Sequence, residues 1–314
     1  MAVPEASPGA GASAGVSPRK AVDGSLGARV GAFVSVGDYA VFMVLLALLT
    51  PVWGPRGEDV WAALMTADVW HGDINLAVAV VSFVIPAAVY WAHAGCLTAV
   101  DLGLCCRHTR QFKLQPKHTV SARDTLVAVA VVVRNQLVSL VTGFVFAFYV
   151  YPWRGCTVVG PFPSAIVVLR DLAVFTVMEE LVFYHIHRAL HHPVLYKRLH
   201  KQHHDFSAPF GWCAIYSGVV EQLGNIAAVA SGPLLMGSHT VLTLCWVVFA
   251  MINTVNAHSG YEVWGMPSPR QHDWHHERFT ENFGFLGVLD SWYGTNSRFL
   301  EHERARGAAA AKRA

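Results

Sequence analysis

Residues 184–204 read YHIHRALHHPVLYKRLHKQHH, which places seven histidines in 21 positions. A second cluster, HDWHH, spans residues 272–276, and 12 of the chain's 17 histidines fall between His185 and His276. Neutral imidazole is a borderline-soft donor near pH 7 and the commonest protein ligand of transition metals. His187 and His191 are four apart, so a helix puts them on one face. His200, His203 and His204 form H-x-x-H-H, and His272, His275 and His276 repeat it. In that pattern the outer and middle histidines sit one turn from the first and can share an ion or grip two neighbouring ions. Lone histidines are usually structural, and histidine runs occur as weak metal sponges. Three ligand-spaced groups inside ordered, aromatic-rich sequence fit neither description.

Around this stretch the chain is too apolar for a soluble domain. Of its 314 residues, 54% are hydrophobic and 14% charged, against roughly 25% charged in soluble domains. The composition predicts an all-α, polytopic membrane protein with about four transmembrane helices. A bilayer core needs roughly 20 apolar residues per helix. Candidate stretches are residues 36–53, 76–100, 126–151 and 164–183, followed by an apolar pair over 219–257 that is broken at Gly232-Pro233 and Gly237. A net charge of +2 points to no nucleic-acid partner. Cys96, Cys105, Cys106, Cys156, Cys213 and Cys245 lack C-x-x-C spacing, so free thiols are expected.

Four regions follow: a disordered Ala/Gly/Ser/Pro-rich segment over 1–30, transmembrane helices with a basic loop over 31–160, the histidine region over 161–300, and a charged tail over 301–314. The short loop 105–123 carries Arg107, Arg110, Lys113, Lys117 and Arg123, and such loops face the cytosol. Counting spans onward puts residues 184–204 on the same side. The 219–257 pair, which holds no lysine or arginine, forms a hairpin that returns His258 and His272 to it. Every ligand-spaced histidine then meets on one cytosolic face.

Eight or nine imidazoles exceed the four ligands of one zinc and suit two ions with open positions between them. Iron in such a pair can take up two electrons, bind dioxygen and attack an unreactive C–H bond; soluble relatives of this chemistry use Glu and Glu-x-x-His on helix bundles. The ligands must be deprotonated, so occupancy should fail in acid. No G-x-G-x-x-G, C-x-x-C-H or P-loop can be placed, so electrons are expected from another protein. The flanking apolar segments suggest a lipid substrate entering from the bilayer.

HRALH (187–191), HKQHH (200–204) and HDWHH (272–276), with NAHSGYE around His258, APFG at 208–211 and LDSWYGT at 289–295, resemble the fatty acid hydroxylase superfamily, which includes sterol desaturases and sterol C4-methyl oxidases. The likeness runs from about residue 112 to 299 and is strongest to the sterol C4-methyl oxidase branch. It implies an endoplasmic-reticulum di-iron monooxygenase fed by NAD(P)H through cytochrome b5 and its reductase, with a cytosolic metal site. It carries metal-ligand roles to His187, His191, His200, His203, His204, His258, His272, His275 and His276, and singles out no catalytic side chain beyond them. Zinc lies above ferrous ion in the affinity order and is expected to replace it in purified protein.

His192 could join or replace His191, and Glu262, four residues after His258, is either a carboxylate ligand or a loop residue. The sterol branch has His-Pro where Gly218-Val219 stands, a departure that leaves room for a different lipid or a loss of activity. His93, His239, Trp212, Trp246, Trp264 and Trp274 read as packing residues, and Arg134-Asn135-Gln136 as helix–helix hydrogen-bonding groups. The narrowest reading is a sterol C4-methyl oxidase. The alternatives are hydroxylation of a fatty acyl chain, sphingoid base or alkylglycerol, and a non-catalytic metal-binding membrane protein.

Overall fold

The computed structural model describes residues 54–262 and 268–312. The expected disordered segment 1–30, the apolar stretch 36–53 and Trp264 lie outside them. Among the described residues the fold is helical with no strand; one isolated antiparallel bridge pairs Lys113 with Tyr261.

Helix α1 covers residues 54–65 and α2 covers Ile74–Asp101, started by the Asp73 carboxylate, which accepts from the amides of Asn75 and Leu76 at 2.9 and 3.0 Å. Helix α3, Ala122–Val145, opens on a capping box between Ser121 and Asp124 and runs on through a π-turn to Arg154. Helix α4 is Ala165–Leu190, α5 is Val219–Met236 and α6 is Thr240–Ser259. Three shorter helices follow: α7, Arg270–Arg278; α8, Val288–Tyr293; and α9, Ser297–Ala311.

Among the described residues, four helices are long and apolar enough to cross a membrane: α2, α3 with its extension to Arg154, α5 and α6. The 219–257 pair is the expected hairpin. It turns at Gly237, whose φ of +59° suits a residue without Cβ. Helix α4 forms where the apolar reading put a span, yet it is not among the four. Arg170, Asp171, Glu179 and Glu180 make it too polar by composition alone.

Its polar groups are nonetheless placed. Asp171 pairs with Arg170 at 2.7 Å and accepts from Ser238 Oγ at 2.7 Å. Helices α4 and α5 run antiparallel in close contact, because Gly232 meets Phe175 while Gly224 meets Ile186. A Cβ at Gly232 would overlap Phe175 Cα and lie 3.0 Å from its ring.

The core behind the site joins α2, α3 and α6 to residues 206–216. Tyr90, Phe210, Trp212, Ile215 and Val255 are buried there. Trp212 donates to Thr98 Oγ1 at 2.6 Å and meets Tyr90 and Trp91 edge-on. Trp246 packs on Phe175 and donates to Val229 O, and His239 caps α6 by accepting from the Val241 amide. Asn135 donates to the carbonyls of Ile215 and Ser217, Arg134 also reaches Ser217 O, and Gln136 accepts from Trp91 Nε1. These side chains bind helix to helix and helix to loop. All six cysteines are unpaired.

Candidate metal centre

The last turn of α4 presents His187 and closes on His191, four residues on, as its C-cap. The chain then makes a π-turn over Tyr196–His200 and a tight turn over His203–Asp205. His200 and His204 point one way and His203 another. Helix α6 brings His258 to its own C-terminal end, and α7 adds His272, His275 and His276.

These nine side chains form two adjoining groups. His187, His191, His200, His204 and His275 make one; His203, His258, His272 and His276 make the other. Within each, the donor atoms lie within 4.8 Å of one another. In the first, Nε2 of His191 is 2.9 Å from that of His200, 3.3 Å from His204 and 3.1 Å from His275. In the second, Nε2 of His258 is 2.8 Å from His272 and 3.3 Å from His203, and Nε2 of His276 is 3.2 Å from His272. The groups touch through His204 and His276, with ring centroids 4.7 Å apart.

The opposite edges of the rings explain this convergence. Nδ1–H of His187 donates to Phe283 O at 2.8 Å, that of His275 to Glu281 O at 2.7 Å, that of His276 to Phe206 O at 3.1 Å and that of His258 to Thr254 O at 2.7 Å. A nitrogen that donates its proton to a carbonyl leaves its partner nitrogen a bare lone pair, so these Nε2 atoms face each other as acceptors. Lone pairs gathered this closely repel unless a cation lies among them. Metal–nitrogen bonds of about 2.0–2.1 Å in a tetrahedron put ligand nitrogens roughly 3.4 Å apart, near the spacing found.

Protonation is suppressed where the cluster needs it to be. Burial lowers His187 to about 4, against the Phe283 hydrogen bond, and burial seconded by His187 lowers His191 to about 2. It drives His203, His272, His275 and His276 well below the usual imidazole value. All are neutral at pH 7, as ligands to a cation must be.

Four acids that sequence reading did not single out hold the site. Glu221 sits at the start of α5 with its carboxylate 2.9 Å from His200 Nδ1 of the first group, while His203 Nδ1–H donates to Tyr216 O at 3.3 Å. Glu180 accepts from the amides of Phe285, Leu286 and Leu289. Asp290 accepts from those of Phe283 and Gly284 at 2.8 and 2.7 Å, and burial lifts its carboxyl to about 6. Glu281 binds Arg298 and Trp274. Glu180, Asp290 and Glu281 together fix the loop 279–290, whose Glu281 and Phe283 carbonyls orient His275 and His187. The signal available in sequence was the presence of acids in otherwise apolar surroundings.

Two open alternatives resolve against ligation. His192 is exposed and belongs to neither group. Glu262 is gripped by Arg270 and by Ser268 Oγ, away from the histidines.

A cavity of about 270 Å³ leads inward from the cluster between α2, α3, α4, α5 and α6. His187, His203, His258 and His272 form its polar end; Phe83, Tyr90, Phe146, Phe183 and Met251 are among its apolar walls, and Glu179, Gln222 and Asn225 also line it.

Comparison with known proteins points the same way. The fatty acid hydroxylase family model matches residues 172–295, which contain every histidine of both groups. The human fatty acid hydroxylase domain-containing protein 2 is 32% identical over 258 residues, covering 79% of this chain and 76% of that protein. Methylsterol monooxygenase erg25B of Aspergillus fumigatus is 30% identical over 72% of this chain and 79% of its own. Very-long-chain aldehyde decarbonylase GL1-8 of Oryza sativa subsp. indica is 31% identical over 60% of this chain and 75% of its own. No solved structure matches the chain. With its histidine groups inside the matched region and relatives aligned over most of their length, the chain belongs to the fatty acid hydroxylase family.

Proposed function

We propose that this protein oxidises a membrane lipid at an unreactive C–H bond, using dioxygen and two iron ions held by the nine histidines. The observation that carries the reading is the convergence of two neutral nitrogen sets at the end of an apolar cavity lined by spanning helices. Bound iron would supply the electron uptake and the attack on the C–H bond. The first group offers His187, His191, His200, His204 and His275 to one ion; the second offers His203, His258, His272 and His276 to the other.

The chain's own part is positional. Carbonyls and Glu221 aim the imidazoles. The apolar cavity walls exclude water, and four histidines face the lipid end-on. The substrate slides in between the helices from the bilayer. In the narrowest reading it is the 4-methyl group of a sterol, which the methylsterol monooxygenase relative supports. Electrons come from NAD(P)H through cytochrome b5 and its reductase, and the protein sits in the endoplasmic reticulum membrane with the centre facing the cytosol.

The second reading keeps the chemistry and changes the lipid to a fatty acyl chain, sphingoid base or alkylglycerol. It is favoured by Gly218, where the sterol branch has histidine. Gly218 opens α5 beside Leu199 O, three residues before Glu221, so a changed residue there alters the wall next to the centre.

The test is oxygen uptake by purified, iron-loaded protein with reduced cytochrome b5 and 4-methylsterol, with product identification. Sterol oxidation supports the first reading. Oxidation of another lipid alone supports the second, and no uptake with any lipid leaves a non-catalytic metal protein.

A further inference from the structure

We propose that residues 194–201, which carry the start of the second histidine motif, are the docking face for a small acidic one-electron carrier protein, with the Tyr196 ring as the contact through which electrons reach the centre. This rests on the oxidative reading above and states where its reductant binds.

The first argument is access. The cavity meets the centre at His187, His203, His258 and His272. Tyr196 meets it elsewhere, with its ring centroid 5.6 Å from that of His191, 6.1 Å from His200 and 5.9 Å from His204. No histidine is shared between the two approaches, so a lipid lodged in the cavity leaves the Tyr196 side open. Tyr196 is half-buried, with its inner edge on three candidate ligands and the rest of the ring within reach of a partner.

Charge is the second argument. Lys197, Arg198 and Lys201 flank Tyr196, all exposed, and among the described residues no ion pair engages any of them. Arg278, Arg298 and Arg306 are instead paired with Glu277, Glu281 and Glu303, whereas Arg110 and Arg123 of the basic loop are exposed and, among the described residues, without an ion pair. No acid occurs anywhere between residues 181 and 204. Three unneutralised cations on a short segment make a local positive field that steers an acidic partner and speeds encounter.

The third is composition. Val194 is 62% exposed and Leu195 38%, giving the patch apolar side chains beside its cations, the mixture found in protein interfaces. The electron count fits repeated, brief docking. Inserting one oxygen atom of dioxygen into C–H leaves the other to become water, which takes two electrons and two protons. Each docking oxidises the carrier by one electron and reduces the metal pair by one, so two dockings complete a turnover.

The experiment uses full-length, iron-loaded protein in neutral-lipid nanodiscs. The variants are Lys197→Glu/Arg198→Glu/Lys201→Glu, Tyr196→Leu and Tyr196→Phe. Oxidation of reduced cytochrome b5 is followed by stopped flow against carrier concentration and salt, alongside metal content and reduction by dithionite. The triple variant should raise KM for the carrier about tenfold, leave kcat within about twofold and flatten the salt dependence. Its metal content and dithionite reduction should match wild type. Tyr196→Leu should slow the rate at saturating carrier about tenfold, and Tyr196→Phe should restore it.

Unchanged KM and salt dependence in the triple variant, with wild type active, would sink the docking face alone. Equal loss with dithionite and carrier, or failed membrane insertion, would instead assign the cations to the lipid headgroup surface and overturn the proposal. A wild type that accepts no electrons and consumes no oxygen would remove the oxidative reading and this one with it.

Discussion

Among the described residues, Glu221 is the one acid that stands against a ring of the cluster. Its carboxylate lies 2.9 Å from His200 Nδ1, whereas His187, His203, His258, His275 and His276 rely on peptide carbonyls. Removing such an outer partner commonly costs 10–100-fold in metal affinity. Glu221→Gln should therefore weaken the first ion position by about that factor, measured as metal retained after graded chelation. Unchanged retention there would show that the carboxylate does not support His200. His204→Ala and His276→Ala, one from each group, should each abolish turnover while the protein still inserts in membranes. His192→Ala should match wild type, since that ring faces solvent.

At the scale of elements, the α4–α5 contact sets how far His187 stands from Glu221. Gly232 is its tightest point, because any Cβ there strikes the Phe175 backbone, which cannot rotate aside. Gly232→Ala should lower stability by about 1–3 kcal/mol, seen as a reduced Tm in detergent, and should reduce metal content in parallel. Periodicity made much of this legible in sequence. The i,i+4 pair at the end of α4, the repeated H-x-x-H-H and the hairpin of α5 and α6 are local patterns, and the structure assembles them as those patterns imply.

What sequence could not show were long-range partners. Glu180 serves amides more than 100 residues away, and Glu221 meets His200, which lies at the end of the π-turn over Tyr196–His200. Apolar count located α4 but not the partners of its acids: Asp171 is satisfied by Ser238 and Glu180 by the loop 279–290, a fact no window of neighbouring residues contains.

For the molecule as a whole, the buried imidazoles impose a direction on pH dependence. In the folded state His187 titrates near 4 and His191 near 2, against about 6.5 in an unfolded chain. Above pH 6.5 both states hold neutral rings and nothing is lost. Below it the unfolded chain takes up protons that the folded chain refuses, so stability falls as pH drops from about 6.5 toward 4. Metal-free protein should show a Tm that declines through this window and levels above it. Bound ions should deepen the decline, because the same protons compete with them. A flat profile between pH 4 and 7 would show that the rings are solvated.

The two nitrogen sets are interleaved along the polypeptide, and this governs when each can be filled during synthesis. Before α7 emerges from the ribosome, the first set already owns four of its five histidines while the second owns only His203 and His258. On the proposed reading, a nascent or prematurely terminated chain should then hold one ion and be unable to share it between two positions. A stop at residue 270 should yield about one tightly held ion per polypeptide. Maturation of the pair is by this logic a late, post-translational event, gated by the arrival of a nine-residue helix.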